Sequence, residues 1–204
     1  MNKNKIHSEE VRYQMDKKKL IYDCGRELFH SKGFKDTNIS DIAKMAGIAV
    51  GTFYNYYSSK EKLFFEIYMK ENEKFKKRII ESLDMNQDPV ALVRQIVEQN
   101  ISAMTSNKIL KEWYNRDLFR ELEHYYEEVK GDDDSIRSLY AGLFKKWKAE
   151  GAIRQDIDDE LLSAFFDSLA YIDSHKEEIG VQHFPQLIQY MAEFIMKGLT
   201  DFKK

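Results

Sequence analysis

Proline occurs only twice in these 204 residues, at positions 89 and 185, so little in the chain can interrupt a helix. Glycine, the other common breaker, occurs nine times, whereas the helix formers Glu, Lys and Leu are abundant. Apolar residues also recur at helical spacing, as in the stripe of Leu20, Ile21, Cys24, Leu28 and Phe29. The chain is therefore predicted to be all-α.

Composition narrows the class of protein further. Hydrophobic residues make up 43% and charged residues 33%, the balance of a globular rather than a disordered chain. No apolar run approaches the ~20 residues of a membrane span, and the polar N-terminus lacks a signal-peptide core. The single cysteine, Cys24, excludes an intramolecular disulfide and fits a reducing compartment. We expect a cytoplasmic protein with no membrane partner.

Charge is distributed unevenly along the chain. The net charge is −3, but residues 1–62 carry 12 Lys and Arg against 8 Asp and Glu, whereas the remainder carries 20 against 27. A basic N-terminal segment followed by an acidic remainder is the asymmetry expected if only the N-terminal part of the protein binds phosphate groups.

Three predicted helices occupy the basic N-terminal segment, residues 1–62. A polar stretch to about Met15, expected to be a mobile arm, precedes the first helix, which Gly33 ends. A second, short helix carries Ile39, Ile42, Ala43 and Ala46, with Thr37 or Asn38 as its N-cap and Gly47 at its end. A third runs from about Ala49 to Tyr56. Two short helices joined by a tight glycine-containing turn, with a preceding helix to cover them, form a helix-turn-helix pattern.

Longer helices are predicted in the rest of the chain. A Ser58–Glu61 capping box opens one that runs to about Leu83, and Asp88 followed by Pro89 opens the next. Further helices are expected at about 108–129, 135–150, 158–175 and 184–202.

The stretch from Gly33 to Leu63 carries the functional signal. It reads GFKDTNISDIAKMAGIAVGTFYNYYSSKEKL and, at nearly every anchor position, resembles the DNA-binding domain of TetR-family repressors. The resemblance covers roughly the first third of the chain. It implies a helix-turn-helix DNA-binding domain in residues 1–66, with 1–15 as a flexible arm, and a ligand-binding and dimerisation domain in residues 67–204. It also implies that the protein is a repressor, not an enzyme, and binds double-stranded operator DNA as a homodimer.

Within this motif the resemblance implies backbone contacts by Thr37, Tyr54, Tyr56 and Lys60, and base contacts by residues 50–52 and 55. The predicted DNA-binding residues are Thr37, Ser40, Ala49, Val50, Gly51, Thr52, Tyr54, Asn55, Tyr56 and Lys60. An exposed valine can contact a thymine methyl group, and a glycine lets a helix approach DNA closely. The sequence departs from the family in Ala49, which replaces the usual Ser or Thr cap, and in Val50, which replaces a polar or basic residue.

The second domain is predicted to bind a ligand and a second copy. Aromatic residues of an apolar small-molecule pocket are expected at Trp113, Tyr114, Phe119, Tyr125, Tyr140, Phe144 and Trp147, and core packing is the alternative for each. The last two helices are apolar over wide arcs, which predicts either central core helices or a four-helix dimer interface. The interface residues would be Leu162, Phe165, Phe166, Leu169, Leu187, Met191, Phe194 and Ile195. The effector would be apolar or aromatic.

Two rival functions remain open. The pairs Glu27-x-x-His30 and Glu121-x-x-His124 match the ligand spacing of di-iron helical bundles, although so short a motif arises easily by chance in a Glu-rich chain. A non-specific DNA coat protein is the other alternative, and it would bind any duplex equally. The sequence otherwise predicts no cofactor and no metal.

Overall fold

The computed structural model describes residues 3–112, 115–129 and 135–202, and these form helices with no β-strand among them. The all-α prediction is therefore confirmed. In chain order the helices are α1 (Lys3–Lys32), α2 (Ile39–Met45), α3 (Val50–Tyr54), α4 (Lys60–Ser82), α5 (Pro89–Ser106), α6 (Lys108–Lys111), α7 (Arg116–Val129), α8 (Ser135–Ala149), α9 (Asp159–Ser174), α10 (Lys176–Ile179) and α11 (Gln186–Thr200). A 3-10 turn (Val181–His183) precedes α11. None of the described helices is long and apolar enough to cross a lipid bilayer.

The chain divides into two compact units that do not follow the chain order. The first unit contains Met1–Asn72 and Ser106–Val129, and the second contains Glu73–Thr105 and Lys130–Lys204. The sequence placed a single boundary after residue 66, whereas α6 and α7 belong with the N-terminal helices. Apolar periodicity shows that a helix has a buried face, but it does not identify the element that covers this face.

The core of the first unit is apolar and closely packed. Side chains that are at most 1% exposed include Ile21, Phe29, Ile42, Phe53, Leu63, Phe64 and Ile67. The rings of Phe29, Phe34 and Phe64 lie with centroids 5.0–5.9 Å apart, within the range of favourable aromatic pairs. This core holds α1 to α4 together and so determines which faces of α2 and α3 remain exposed.

Two predicted helix starts differ from the structure. Helix α1 begins at Lys3 rather than near Met15, because no glycine or proline interrupts the chain before Gly25. The N-cap of α4 is Ser59 and not Ser58, since the hydroxyl of Ser59 accepts a hydrogen bond from the backbone N–H of Lys62 at 3.1 Å. Each of these helices exists where the sequence predicted one.

The predicted helix at 108–129 is two helices in the structure. Asn107 caps α6 by accepting hydrogen bonds from the N–H groups of Ile109 and Leu110, and the Asn115 side chain accepts one from Leu118 N at 3.2 Å. Both asparagines are favoured N-cap residues, a signal that the sequence analysis missed.

Hydrogen bonds attach α6 and the residue that follows it to the end of α1 and the loop after it, within the first unit. The Nζ of Lys108 donates to the carbonyl oxygen of Ser31, and the backbone N–H of Phe34 donates to Oε1 of Glu112 at 3.4 Å. Ile109 and Leu110 are buried. A displacement of α6 would therefore act on the end of α1 and on the loop that leads into α2.

The second unit is organised around α8, α9 and α11, with α5 contributing Leu92, Val93, Ile96 and Val97 to the buried surface. Ion pairs lie at its surface, among them Lys148–Asp159 and Arg137–Asp167, both at 2.6 Å. The Asp88 prediction is confirmed, because its carboxylate accepts a hydrogen bond from Ala91 N at 2.9 Å at the start of α5.

Candidate nucleic-acid interface

Helices α2 and α3 form a helix-turn-helix. The Asn38 side chain caps α2 by accepting a hydrogen bond from Asp41 N at 2.8 Å, which selects Asn38 over Thr37 as the predicted cap. Gly47, in the turn, has φ = +64°, a left-handed conformation that other residues rarely adopt. The backbone N–H of Ile48 donates to Ala43 O at 3.0 Å and closes the turn. Local sequence therefore determines the angle at which α3 leaves α2.

Helix α3 has one buried and one exposed face. Phe53 is 0% exposed and holds the helix against the core, whereas Val50 and Tyr54 are 43% and 54% exposed. Gly51 and Asn55 lie on the same exposed face, and Thr52 is half-buried. A methyl group added at Gly51 would meet no atom within 4 Å, so packing within the chain does not require a glycine there.

The chain segment that contains α3 carries no formal charge. Between Lys44 and Lys60 the sequence contains neither acidic nor basic residues. Ala49, the N-cap of α3, provides no side-chain hydrogen bond, as its replacement of Ser or Thr predicts. The surface therefore offers methyl groups, a phenol and an amide to a partner.

The predicted contact of Thr37 with a phosphate is wrong for this conformation. Its side chain is 1% exposed, and its hydroxyl donates to the carbonyl oxygen of Gly33 at 2.8 Å. The hydroxyl thus closes the loop between α1 and α2. Ser40, also predicted to bind DNA, is exposed and donates to Asn38 Oδ1 at 2.6 Å. Tyr56 is half-buried.

Lys60 has a structural role that the sequence did not predict. Its ammonium donates to Phe34 O at 3.0 Å and to Thr37 O at 2.9 Å, and it lies 4.0 Å from the centroid of the Phe34 ring. Two of its three donors are therefore occupied by the loop between α1 and α2. Cation–π attraction adds to this attachment.

Replacing Lys60 with Met is expected to lower the free energy of unfolding by about 2 kcal/mol, because the carbonyl groups of two buried residues lose a charged donor. Urea denaturation followed by circular dichroism measures this change. Lys44→Met is the matched control, since Lys44 is exposed on α2, and it should leave the unfolding midpoint unchanged. If Lys60→Met unfolds at the wild-type midpoint, the ammonium does not hold the loop.

Comparison with known proteins identifies this motif. Residues 21–67 match the family described as bacterial regulatory proteins of the tetR family. Residues 21–67 therefore form the DNA-binding domain of a TetR-family transcription regulator. TetR-family proteins are helix-turn-helix DNA-binding regulators and not enzymes, and the match includes α2 and α3 entirely.

Relatives and solved structures extend the similarity beyond the helix-turn-helix. The chain is 26% identical over 156 residues to the HTH-type transcriptional repressor KstR2 of Rhodococcus jostii, covering 74% of this chain and 75% of that protein. RolR in complex with resorcinol has a TM-score of 0.63 at 16% identity, with 93% of this chain and 90% of RolR covered. Thermus thermophilus FadR in complex with lauroyl-CoA has a TM-score of 0.54 at 19% identity, with coverages of 92% and 97%. These structures establish the fold of the TetR family for the chain as a whole.

The predicted aromatic pocket is not assembled as one group within either unit. Tyr125 lies in the first unit, where its ring centroid is 5.5 Å from that of Phe65 and 4.1 Å from Nζ of Lys62. Trp113 and Tyr114 lie outside the described residues, as does the side chain of Phe119.

The remaining three aromatic residues lie in the second unit, where Tyr140 and Phe144 pack with Phe166 and Trp147 packs with Phe144. Phe144 and Trp147 are each 1% exposed, and the Tyr140 ring is 4.8 Å from that of Phe166. Burial raises the pKa of the Tyr140 phenol. Phe144 and Trp147 therefore belong to the core, which is the alternative that the sequence left open.

A cavity of about 220 Å³ lies in the second unit between α5 and α11. Its lining includes Val90, Val93 and Val97 of α5 with Gln189, Tyr190 and Glu193 of α11. Of the aromatic residues predicted for the pocket, none of the four whose side chains the structure describes lines this cavity.

Part of the predicted dimer interface is buried within the chain. Leu162, Phe166 and Leu169 are 0%, 8% and 6% exposed, so they belong to the core of the second unit. Phe165, Leu187, Met191 and Ile195 are half-buried, and Phe194 is 65% exposed. The large apolar side chains that the described parts of α9 and α11 expose are Leu161, Tyr171, Tyr190 and Phe194. Helical periodicity identified two apolar stripes on each helix but not which one faces the chain's own core.

The residues of the two Glu-x-x-His pairs all lie on exposed parts of the first unit. Among the residues described, no group of three or more His, Cys, Asp or Glu side chains is arranged to hold a metal ion. Family membership, rather than this absence, assigns the chain to the regulators.

Proposed function

We propose that this protein is a homodimeric repressor that holds an operator duplex with the exposed face of α3 and leaves it when an apolar or aromatic small molecule binds. It would act in the cytoplasm, where bacterial DNA lies. The observation that carries the proposal is the two-sided character of α3, which is anchored by Phe53 and presents Val50, Gly51, Tyr54 and Asn55 to solvent. A recognition helix of this kind enters the major groove with its first residues against base edges.

Contacts with DNA are assigned by exposure. Val50, Thr52 and Asn55 would face the bases, and Tyr54 and Tyr56 would reach phosphates with their phenol groups. Ala49 and Gly51 bring the backbone close to the duplex. Ser40 would contribute a hydroxyl, and Lys60 its one remaining donor. The residues 1–66 would form the DNA-binding domain with the added support of α6 and α7.

Dimerisation is supported by the apolar residues that α9 and α11 expose. Tyr190 and Phe194 stack on each other with centroids 6.0 Å apart although both are more than half exposed. Leu187, Met191 and Ile195 border them along α11 and would complete the interface with Phe165 of α9. A two-fold dimer would place two recognition helices about 34–36 Å apart, the repeat of the major groove.

Release by a ligand is supported by the relatives and by the place of α6. KstR2 is named a repressor, and the solved structures include complexes with resorcinol and with lauroyl-CoA. Helix α6 contacts the end of α1 through Lys108 and the loop before α2 through Glu112. A ligand that favours another position of α6 would therefore shift the population of helix-turn-helix orientations, and coupling of this kind is reciprocal.

A glycine replacement separates DNA binding from stability. Gly51→Ala is expected to raise the free energy of unfolding by about 0.5–1 kcal/mol, because alanine is the better helix former and its methyl group meets no atom of the chain. It should nevertheless weaken DNA binding about tenfold or more, since the methyl group keeps the helix from the duplex. Fluorescence anisotropy with a duplex enriched from a random pool, together with urea denaturation, measures both effects.

Gly142→Ala is the matched control, because Gly142 is exposed within α8 and also has nothing near its Cβ position. It should gain similar stability and keep its DNA affinity. Equal DNA affinity of Gly51→Ala and wild type would show that α3 does not approach the duplex.

Ligand release is tested with resorcinol and lauroyl-CoA as probes. Each is titrated into the complex of the full-length protein with the enriched duplex. At least one should lower DNA affinity about fivefold or more, and the duplex should lower the affinity for that probe by the same factor. If neither probe changes DNA affinity, the proposed ligand class is wrong.

A further inference from the structure

The segment that forms α3 and its flanks contains no cation. The fifteen residues from Met45 to Ser59 include no Lys, Arg, Asp or Glu. Guanine is read in the major groove chiefly by Arg or Lys, which donate to its O6 and N7 acceptors, and cytosine is read by carboxylates. The helix therefore lacks the charged groups that recognise a G·C pair.

The groups that α3 does expose are suited to the other base pair. Val50 is 43% exposed at the first position of the helix, and Asn55 is exposed just after its last. An isopropyl group is complementary to the 5-methyl group of thymine, and an Asn amide can bond the N6 and N7 of adenine with two hydrogen bonds. Gly51 lies between them without a side chain, so the backbone can come close enough for both contacts.

We infer that α3 selects A·T base pairs in the major groove, with Val50 against a thymine methyl group and Asn55 against adenine. The inference rests on the proposed binding of operator DNA and adds the base composition of the site. Affinity is then supplied largely by phosphate contacts, while specificity depends on the thymine methyl group and on the adenine edge that Asn55 binds.

Selection from a random duplex pool, followed by replacement of thymine with uracil, tests this assignment. The enriched sequences should contain A·T pairs at the positions protected by α3. Replacing the thymines at those positions with uracil removes only the 5-methyl groups, and it should weaken wild-type binding about fourfold per half-site, the effect of uncovering one methyl-sized group. Uracil outside the protected positions should have no effect.

The variant Val50→Ala tests whether Val50 is the side chain that contacts the thymine methyl group. It should bind thymine and uracil duplexes with nearly equal affinity, because the group that contacts the methyl is gone. Val90→Ala, a valine of α5 in the second unit, is the matched control and should keep the fourfold difference. Asn55→Ala should relax the preference for adenine at one position of each half-site.

Three outcomes are distinguishable. Enrichment of invariant G·C pairs at the positions facing α3 would overturn the base assignment and leave operator binding intact. Equal wild-type affinity for thymine and uracil duplexes would overturn the role of Val50. Failure of the pool to yield any preferred sequence would overturn the proposed function itself, together with this inference.

Discussion

A Phe194→Glu variant is expected to be a monomer at protein concentrations where the wild-type chain is a dimer. Phe194 is 65% exposed on α11 and stacks on Tyr190, which is 58% exposed. Buried aromatic residues at the centre of an interface commonly contribute about 2–4 kcal/mol each. A two-fold dimer contains the substitution twice, so a loss of about 2 kcal/mol per copy raises the dissociation constant about 1000-fold.

Sedimentation velocity over a range of protein concentrations measures this shift, and DNA affinity should fall with it because a monomer reaches only one half-site. Leu20→Glu is the control, since Leu20 is a comparably exposed apolar residue on α1, at 44%. The control should remain dimeric. A dimeric Phe194→Glu protein with wild-type sedimentation would place the interface elsewhere.

Replacing Gly25 with Val should lower the free energy of unfolding by about 3 kcal/mol. A Cβ atom at Gly25 would lie 2.7 Å from Cδ2 of Leu63 and 3.5 Å from Cδ1 of Ile67. Both neighbours are 0% exposed, so Leu63 cannot withdraw without disturbing the rest of the core. Overpacking a core of this density costs about 1–3 kcal/mol for one methyl group, and valine adds two more carbon atoms.

Gly142→Val provides the comparison, because the same substitution in α8 meets no atom near the Cβ position and should change stability by less than about 0.5 kcal/mol. Combining Gly25→Val with Leu63→Ala should cost less than the sum of the two single changes, since the alanine removes the colliding atom. Additive losses in urea denaturation would show that α1 and α4 are not in the close contact described here.

The helix-turn-helix was largely predictable because its signals are local. Asn38 is one of the two caps that the sequence offered for α2, and Gly47 acts in the turn as predicted. Outside this motif, Asp88 caps α5 as predicted. A cap or a left-handed turn depends only on neighbouring residues. The exposure of Val50 and Tyr54 followed from the helical repeat around the buried Phe53. The N-cap of α4 is Ser59 and not the predicted Ser58. A difference of about one residue is usual at a helix end.

Partners distant in the chain could not be predicted in the same way. Lys60 was expected to face phosphate, but the carbonyl groups that it binds are 23 and 26 residues away. The hydroxyl of Thr37 likewise has a partner that only the folded loop supplies. Residues 106–129 group with the first unit, and Leu162 is buried in the second. Both facts depend on which element covers a given apolar stripe, and helical periodicity does not carry this information.

Hydroxyl-radical footprinting of the full-length protein on its most strongly enriched duplex tests the central claim most directly. We predict two protected patches on one side of the duplex, with centres about one helical turn or a whole number of turns apart. Both patches should vanish together in Phe194→Glu and weaken in Gly51→Ala. A single continuous protected stretch that does not depend on sequence, or protection unchanged by Gly51→Ala, would contradict the assignment of α3 as the DNA-reading helix of a dimer.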